Sequence, residues 1–167
     1  RSGRFSHPRG TAREPGLCAR GTAYGFAPCP DQQPHFQGGF SQYILLHHPR
    51  SAFLKMRAEP RIAVLLEPFT VGLHFADRAQ IRIGATVVIQ GAGAIGLFSL
   101  AAAREAGAHR TILVGAPASR LELGREFGAD TVVDIEAVRD PAERIRLVKA
   151  ETPGGYGVDV AIECTGV

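Results

Sequence analysis

The sequence predicts an α/β protein built on a partial doubly wound parallel sheet. Two observations carry that prediction. From about residue 86 onward, strand-like apolar runs alternate with helix-like segments through short links, the pattern of right-handed βαβ units on a parallel sheet. In TVVIQGAGAIGLFSL, the glycines Gly91, Gly93 and Gly96 then stand as G-x-G-x-x-G between the first of those strands and its helix. The composition is ordinary for a soluble globular chain: 167 residues, 45% hydrophobic and 21% charged, enough for one full core or parts of two.

Residues 1–38 are rich in Gly, Pro and Arg without periodicity and read as loops. Gly38-Gly39 signals a turn into a β-rich run over Phe40–Leu46, and residues 52–56 read as a further short strand. A helix is expected over residues 60–79, with Phe69, Leu73 and Ala76 on one face and Gly84 as the breaker. Strand Thr86–Gln90 follows, then a helix over residues 94–106 that stops at Gly107. Strand Thr111–Val114 comes next. Pro117 is expected at the first position of the following helix, which runs through Leu121 and Phe127 to a stop at Gly128.

Strand Thr131–Val133 leads to Asp140-Pro141-Ala142-Glu143, a helix start with Asp as N-cap, Pro at N1 and an acid at N3. That helix is expected to reach Ala150 and break at Pro153-Gly154-Gly155, before a last strand over 158–164. Four of the six strands of a complete doubly wound sheet are thus visible. The chain opens on Arg1 and stops just after a strand, which reads as a fragment of a longer protein.

A net charge of +3 argues against nucleic acid as a partner, although five arginines (Arg1, Arg4, Arg9, Arg13, Arg20) crowd the first twenty residues. That basic head lacks the apolar core of a signal peptide. No run approaches the ~20 apolar residues of a membrane helix. Three widely spaced cysteines, Cys18, Cys29 and Cys164, make a disulfide framework a poor reading and the reducing cytoplasm the expected setting.

Each glycine of the motif has its own mechanical role. Gly91 allows the tight turn, Gly93 lets a pyrophosphate approach the backbone, and Gly96 permits close helix–strand packing. The N–H groups opening the helix, Ala94 and Ile95 among them, would receive the phosphates. A turn that only packs would explain two glycines, not three at this spacing. An adenosylmethionine site normally has an acid just before the glycines, where Gln90 stands. A flavin site has one ending the second strand, where Gly115 stands. NAD enzymes use that same acid to hold the adenosine ribose. With Gly115 in its place and Arg120 five residues on, NADP is favoured over NAD; Arg120 read alone is equally a solvated helix arginine.

Several motifs together, PGLC (15–18), GGFSQYILL (38–46), LLEPFTVGLHFADRAQIRIGATVVIQGAGAIGL (65–97), EFGADTVVD (126–134) and GVDVAIECTG (157–166), make the chain resemble the zinc-containing medium-chain alcohol and polyol dehydrogenases. The resemblance implies that residues 1–67 are the end of a GroES-like β-rich catalytic domain and residues 68–167 an incomplete NAD(P)-binding Rossmann domain. It implies a zinc site to which Glu67 contributes directly or through bound water; without it, Glu67 reads as a helix-start acid facing the dipole, with Pro68 at N1. His74 reads as a packed helix histidine.

Cys18 matches the last of the four cysteines of the family's second zinc, and the three earlier positions hold no cysteine, so no structural zinc is expected. Cys29 and Cys164 read as small apolar residues. Thr165 and Gly166 are placed near the nicotinamide side. The implied reaction is hydride transfer between an alcohol or polyol and NAD(P) with zinc as Lewis acid, in a homo-oligomer without nucleic-acid or membrane partners. The chain alone is expected to be inactive. The rival readings are a non-catalytic NAD(P)-binding relative and a zinc-free quinone or enoyl reductase.

Overall fold

A computed structural model describes residues 42–43 and 55–166. The chain divides into two compact units, Arg1–Lys55 and Met56–Val167, and every element below belongs to the second. The loops expected over 1–38, most of the strands expected over 40–46 and 52–56, and Cys18 and Cys29 lie outside the described residues.

The elements run α1 (Pro60–Ala63), α2 (Leu66–Arg78), β1 (Thr86–Gln90), α3 (Ala94–Glu105), β2 (Arg110–Gly115), α4 (Ala118–Glu126), β3 (Thr131–Asp134), α5 (Pro141–Ala150) and β4 (Val160–Glu163), with one 3-10 turn at Pro153–Gly155. The sequence expects one helix over 60–79; the structure has two, parted at Val64-Leu65. Pro68 explains the break. It lacks the N–H that would bond to the carbonyl of Val64, and its ring would crowd that oxygen. Pro117 also differs from expectation: it stands at the N-cap of α4, one residue before the first helical position.

The last strand is shorter than expected, Val160–Glu163, although Asp159 and Cys164 still donate their amides to Thr86 and Gln90 of β1 at 2.9 and 2.8 Å. Asp140 caps α5 as expected, its carboxylate accepting the Ala142 amide at 3.0 Å. Glu143 turns instead to Arg146, so the reciprocal half of a capping box is not formed.

The four strands are all parallel, in the order β3-β2-β1-β4. Alternate strand residues face opposite ways. Val87, Ile89, Leu113 and Ile162 join Leu97, Leu100 and Ala103 of α3 and Leu121 of α4 in one core. Ile112, Val114 and Val133 form a second core with Leu147 and Val148 of α5. The chain therefore builds outward from β1 to β3 with α3 and α4 on one face. It then crosses back to the far side of β1 with α5 on the other face. The reversal puts the topological switch point between β1 and β4, where ligands of such sheets bind beyond the carboxyl ends of the strands.

Helix α2 lies against α3. Ala76 and Gly72 are buried there, and a β-carbon on Gly72 would sit 2.7 Å from the Phe98 backbone, so the two helices meet backbone to backbone. Phe69, Phe98 and Phe127 stack edge to face at 5.6 and 5.9 Å along that seam.

The amino ends of the strands are tied by one device used twice. Thr111 donates its amide to the Asp130 carboxylate at 2.7 Å and receives the Asp130 amide on its carbonyl at 3.0 Å. Thr86 and Asp159 repeat this at 2.7 and 2.9 Å. Both aspartates end a Gly-x-Asp run just before a strand, so each incoming strand is locked to a threonine at the start of its neighbour, the second residue of β2 and the first of β1.

Candidate dinucleotide site at the carboxyl edge

Gly91 follows the last residue of β1 at φ +112°, a conformation that favours glycine. Its amide bonds the Val114 carbonyl at 2.8 Å, which holds the turn against β2. A β-carbon here would lie 3.0 Å from the Cys164 backbone and 3.2 Å from the Thr165 methyl. Gly96, one turn into α3, lies so close that a β-carbon would reach 1.8 Å from the Gly91 carbonyl oxygen. Both glycines are thus needed by the protein's own packing.

Gly93 is different. It is the N-cap of α3 with φ −81° and ψ −179°, extended backbone that any residue adopts. A β-carbon on it would meet nothing within 4 Å. It brings no side-chain cap to α3, and the first turn of α3 holds no acid. The opening amides of α3, including those of Ala94, Ile95 and Gly96, have no intrahelical acceptor. The result is a clear space in front of donors at a positive helix end, an arrangement suited to a diphosphate.

Gly115 ends β2 and is buried. A β-carbon there would lie 2.8 Å from the Ala92 amide nitrogen, so glycine at this position also lets the turn sit against β2. The sequence offered no sign of that contact, because Ala92 lies twenty-three residues away. Arg120 stands in the first turn of α4, exposed, and its guanidinium has no partner among the described residues. Thr165 and Gly166 follow β4 across the switch point, with the Thr165 methyl facing Gly91.

Sequence reasoning missed Glu163. Its carboxylate accepts both the amide and the hydroxyl of Thr165, and the Gly166 amide lies 3.5 Å from its second oxygen. The Thr165 hydroxyl, the Thr165 amide and the Gly166 amide hold this carboxyl below the usual glutamate range. Burial pushes the neighbouring Cys164 thiol up; the Ser99 hydroxyl at 3.7 Å opposes that rise and the Glu163 charge adds to it. Cys164 is therefore a protonated, weakly reactive thiol at neutral pH, in keeping with its small-apolar reading.

Glu67 lies in the first turn of α2, exposed, and its side chain has no partner among the described residues. Pro68 is one residue further into that helix than Glu67, not at its first position. His74 is exposed, which corrects its reading as a packed histidine. Among the described residues, no three His, Cys, Asp or Glu side chains gather into a metal-binding group, and no helix is long and apolar enough to cross a membrane. Two surface concavities open at the opposite, amino edge, lined by Thr86, Arg110, Asp159 and Gln80 among others. They lie at the far end of the strands from the glycines.

Comparison with known proteins bears on the same residues. A family model described as zinc-binding dehydrogenase matches residues 94–167. Sorbitol dehydrogenase of Bacillus subtilis is 34% identical over 142 residues, 83% of this chain and 39% of that protein. The Bos taurus sorbitol dehydrogenase is 39% identical over 105 residues, 62% of this chain and 28% of that protein.

The chain belongs to the zinc-containing medium-chain dehydrogenase family.

Solved structures agree with the fold. An alcohol dehydrogenase from Thermotoga maritima superposes at TM-score 0.71 with 29% identity, over 87% of this chain and 40% of that one. A putative zinc-binding dehydrogenase from Sinorhizobium meliloti bound to NADP gives TM-score 0.63 and 36% identity, over 80% of this chain and 38% of that one. The chain spans two fifths or less of the length of the two sorbitol dehydrogenases.

Proposed function

We propose that the chain supplies the NAD(P)-binding part of an oxidoreductase that moves hydride between a small alcohol or polyol and its carbonyl. Gly93 carries the reading. Gly91, Gly96 and Gly115 are each required by a contact inside the protein, whereas the space before Gly93 answers to something outside it. The sorbitol dehydrogenase relatives support a polyol as substrate.

In this reading, the Gly93–Gly96 amides bind the diphosphate and the α3 dipole offsets its charge. Thr165 and Gly166 line the nicotinamide side of the switch point. Gly115 leaves a 2′-phosphate unopposed and Arg120 meets it, which favours NADP; the NADP-bound relative is in keeping with that choice. The nicotinamide, when bound, supplies the hydride chemistry. The described residues do not by themselves fit a zinc ion, since Glu67 is a single carboxylate without a second donor beside it. Glu67 remains the residue assigned to that metal, and no further ligand is assigned to this chain. The division into a catalytic part over 1–67 and a dinucleotide part over 68–167, a homo-oligomer and a cytoplasmic setting belong to the same reading.

Calorimetric titration of the chain with NADPH, NADH and ADP-ribose tests it. Saturable binding of all three, with NADPH the tighter nicotinamide ligand, is expected. Absence of any binding at millimolar ligand overturns the reading, and equal or tighter NADH binding removes the NADP preference.

A further inference from the structure

Thr165 is the residue that β4 sets against the glycine turn, and something must keep it there. Register pairs Glu163 with Gln90, the residue just before Gly91. From that position, one Glu163 carboxylate oxygen takes both donors of Thr165, and the other lies 3.5 Å from the Gly166 amide. The bend after β4 is thereby fixed with the Thr165 methyl toward Gly91, at 3.2 Å from where a β-carbon there would stand. Glu163 itself is exposed, and its burial contributes little to the fold. A carboxylate at the edge that receives a diphosphate is unfavourable unless its lone pairs are engaged elsewhere. Here the turn engages them.

The geometry points to Glu163 as a positioning residue for the cofactor: its carboxylate locks Thr165 and so shapes the β4 wall of the crevice on the nicotinamide side. This rests on the dinucleotide reading above. Glu163 acts through Thr165 and is not assigned contact with the ligand. Because the wall lies on the nicotinamide side of the switch point, the adenosine and diphosphate parts of the ligand do not depend on it.

The test compares NADPH with ADP-ribose, which lacks the nicotinamide, on the chain and on Glu163→Ala, Glu163→Gln and Thr165→Ser. Glu163→Ala is expected to weaken NADPH at least ten-fold and ADP-ribose less than two-fold. Glu163→Gln, which keeps an acceptor oxygen, should restore NADPH to within about three-fold. Thr165→Ser keeps the hydroxyl but loses the methyl, and should show the same selective loss as Glu163→Ala. Glu163→Ala matching the unaltered chain on both ligands, or losing both equally, overturns the proposal. Failure of the unaltered chain to bind ADP-ribose instead overturns the dinucleotide reading on which it rests.

Discussion

The carbonyl oxygen of Gly91 occupies the space into which a β-carbon on Gly96 would project, at 1.8 Å. The end of β1 and the first turn of α3 are thereby pressed together, and the glycine turn is held in one shape. Neither atom can yield without moving a core element, since Gly91 is bonded to β2 and Gly96 is in a buried turn. Gly96→Ala is therefore expected to cost on the order of 3 kcal/mol, the upper range for overpacking, and to abolish dinucleotide binding with it. Chemical denaturation measures the first and titration the second; a variant of unaltered stability would contradict the packing account.

Asp130 completes the β2–β3 lock. Removing its carboxylate leaves the Thr111 amide, in a residue with no exposed surface, without its acceptor, while the Thr111 hydroxyl and Arg104 keep the Gly128 carbonyl at 2.8 and 3.0 Å. Asp130→Ala is expected to destabilise by about 1–3 kcal/mol, the range for an orphaned buried donor. Burial pushes the Asp130 carboxyl up, but the Thr111 amide, the Thr111 hydroxyl and Arg104 together outweigh it, so its pKa in the folded protein is lowered.

A lowered carboxylate pKa contributes stability that is present above the unfolded value of about 4 and is lost as pH falls through the folded value. The stability gap between the unaltered chain and Asp130→Asn should accordingly be full at pH 6 and shrink below about pH 4. A gap constant with pH would show that the charge is not what matters.

Leu100 of α3 has no exposed surface and packs with Val87, Ile89 and Leu113. Leu100→Ala should cost about 2–5 kcal/mol as a cavity in that core. Thermal melts should show it without any preferential effect on one nucleotide over another.

Arg120 offers the sharpest separation of NADP from NAD. If its guanidinium meets a 2′-phosphate, Arg120→Ala should weaken NADPH roughly ten-fold or more, as loss of a charge-assisted contact does. NADH should be nearly unaffected. Equal loss on both ligands would place Arg120 at the diphosphate or ribose instead.

Much of this was legible in the sequence because it is local. β1 runs over the expected residues, α3 begins at Ala94 and α5 begins at Pro141, since a β-branched run, three glycines and an Asp-Pro cap are each decided within a few positions. The contacts that shape the site are not local. Gly115 against Ala92 and Thr165 against Gly91 join strands distant in sequence, and no spacing rule announces them. Glu163 could have been found as an acid two residues before a threonine at a strand end, a pattern able to cap its own turn, but its value depends on β4 lying beside β1. The helix break at Val64-Leu65 was readable from Pro68, yet the apolar face over Phe69, Leu73 and Ala76 suggested continuity.

The central claim is that the space before Gly93 is kept for a diphosphate. Gly93→Ser tests it most directly, because serine is a better N-cap than glycine and its β-carbon would meet nothing within 4 Å. The account predicts a melting temperature equal to or above that of the unaltered chain, with affinity for ADP-ribose and NADPH reduced at least ten-fold. Unchanged affinity for both ligands in a stably folded Gly93→Ser protein would contradict it.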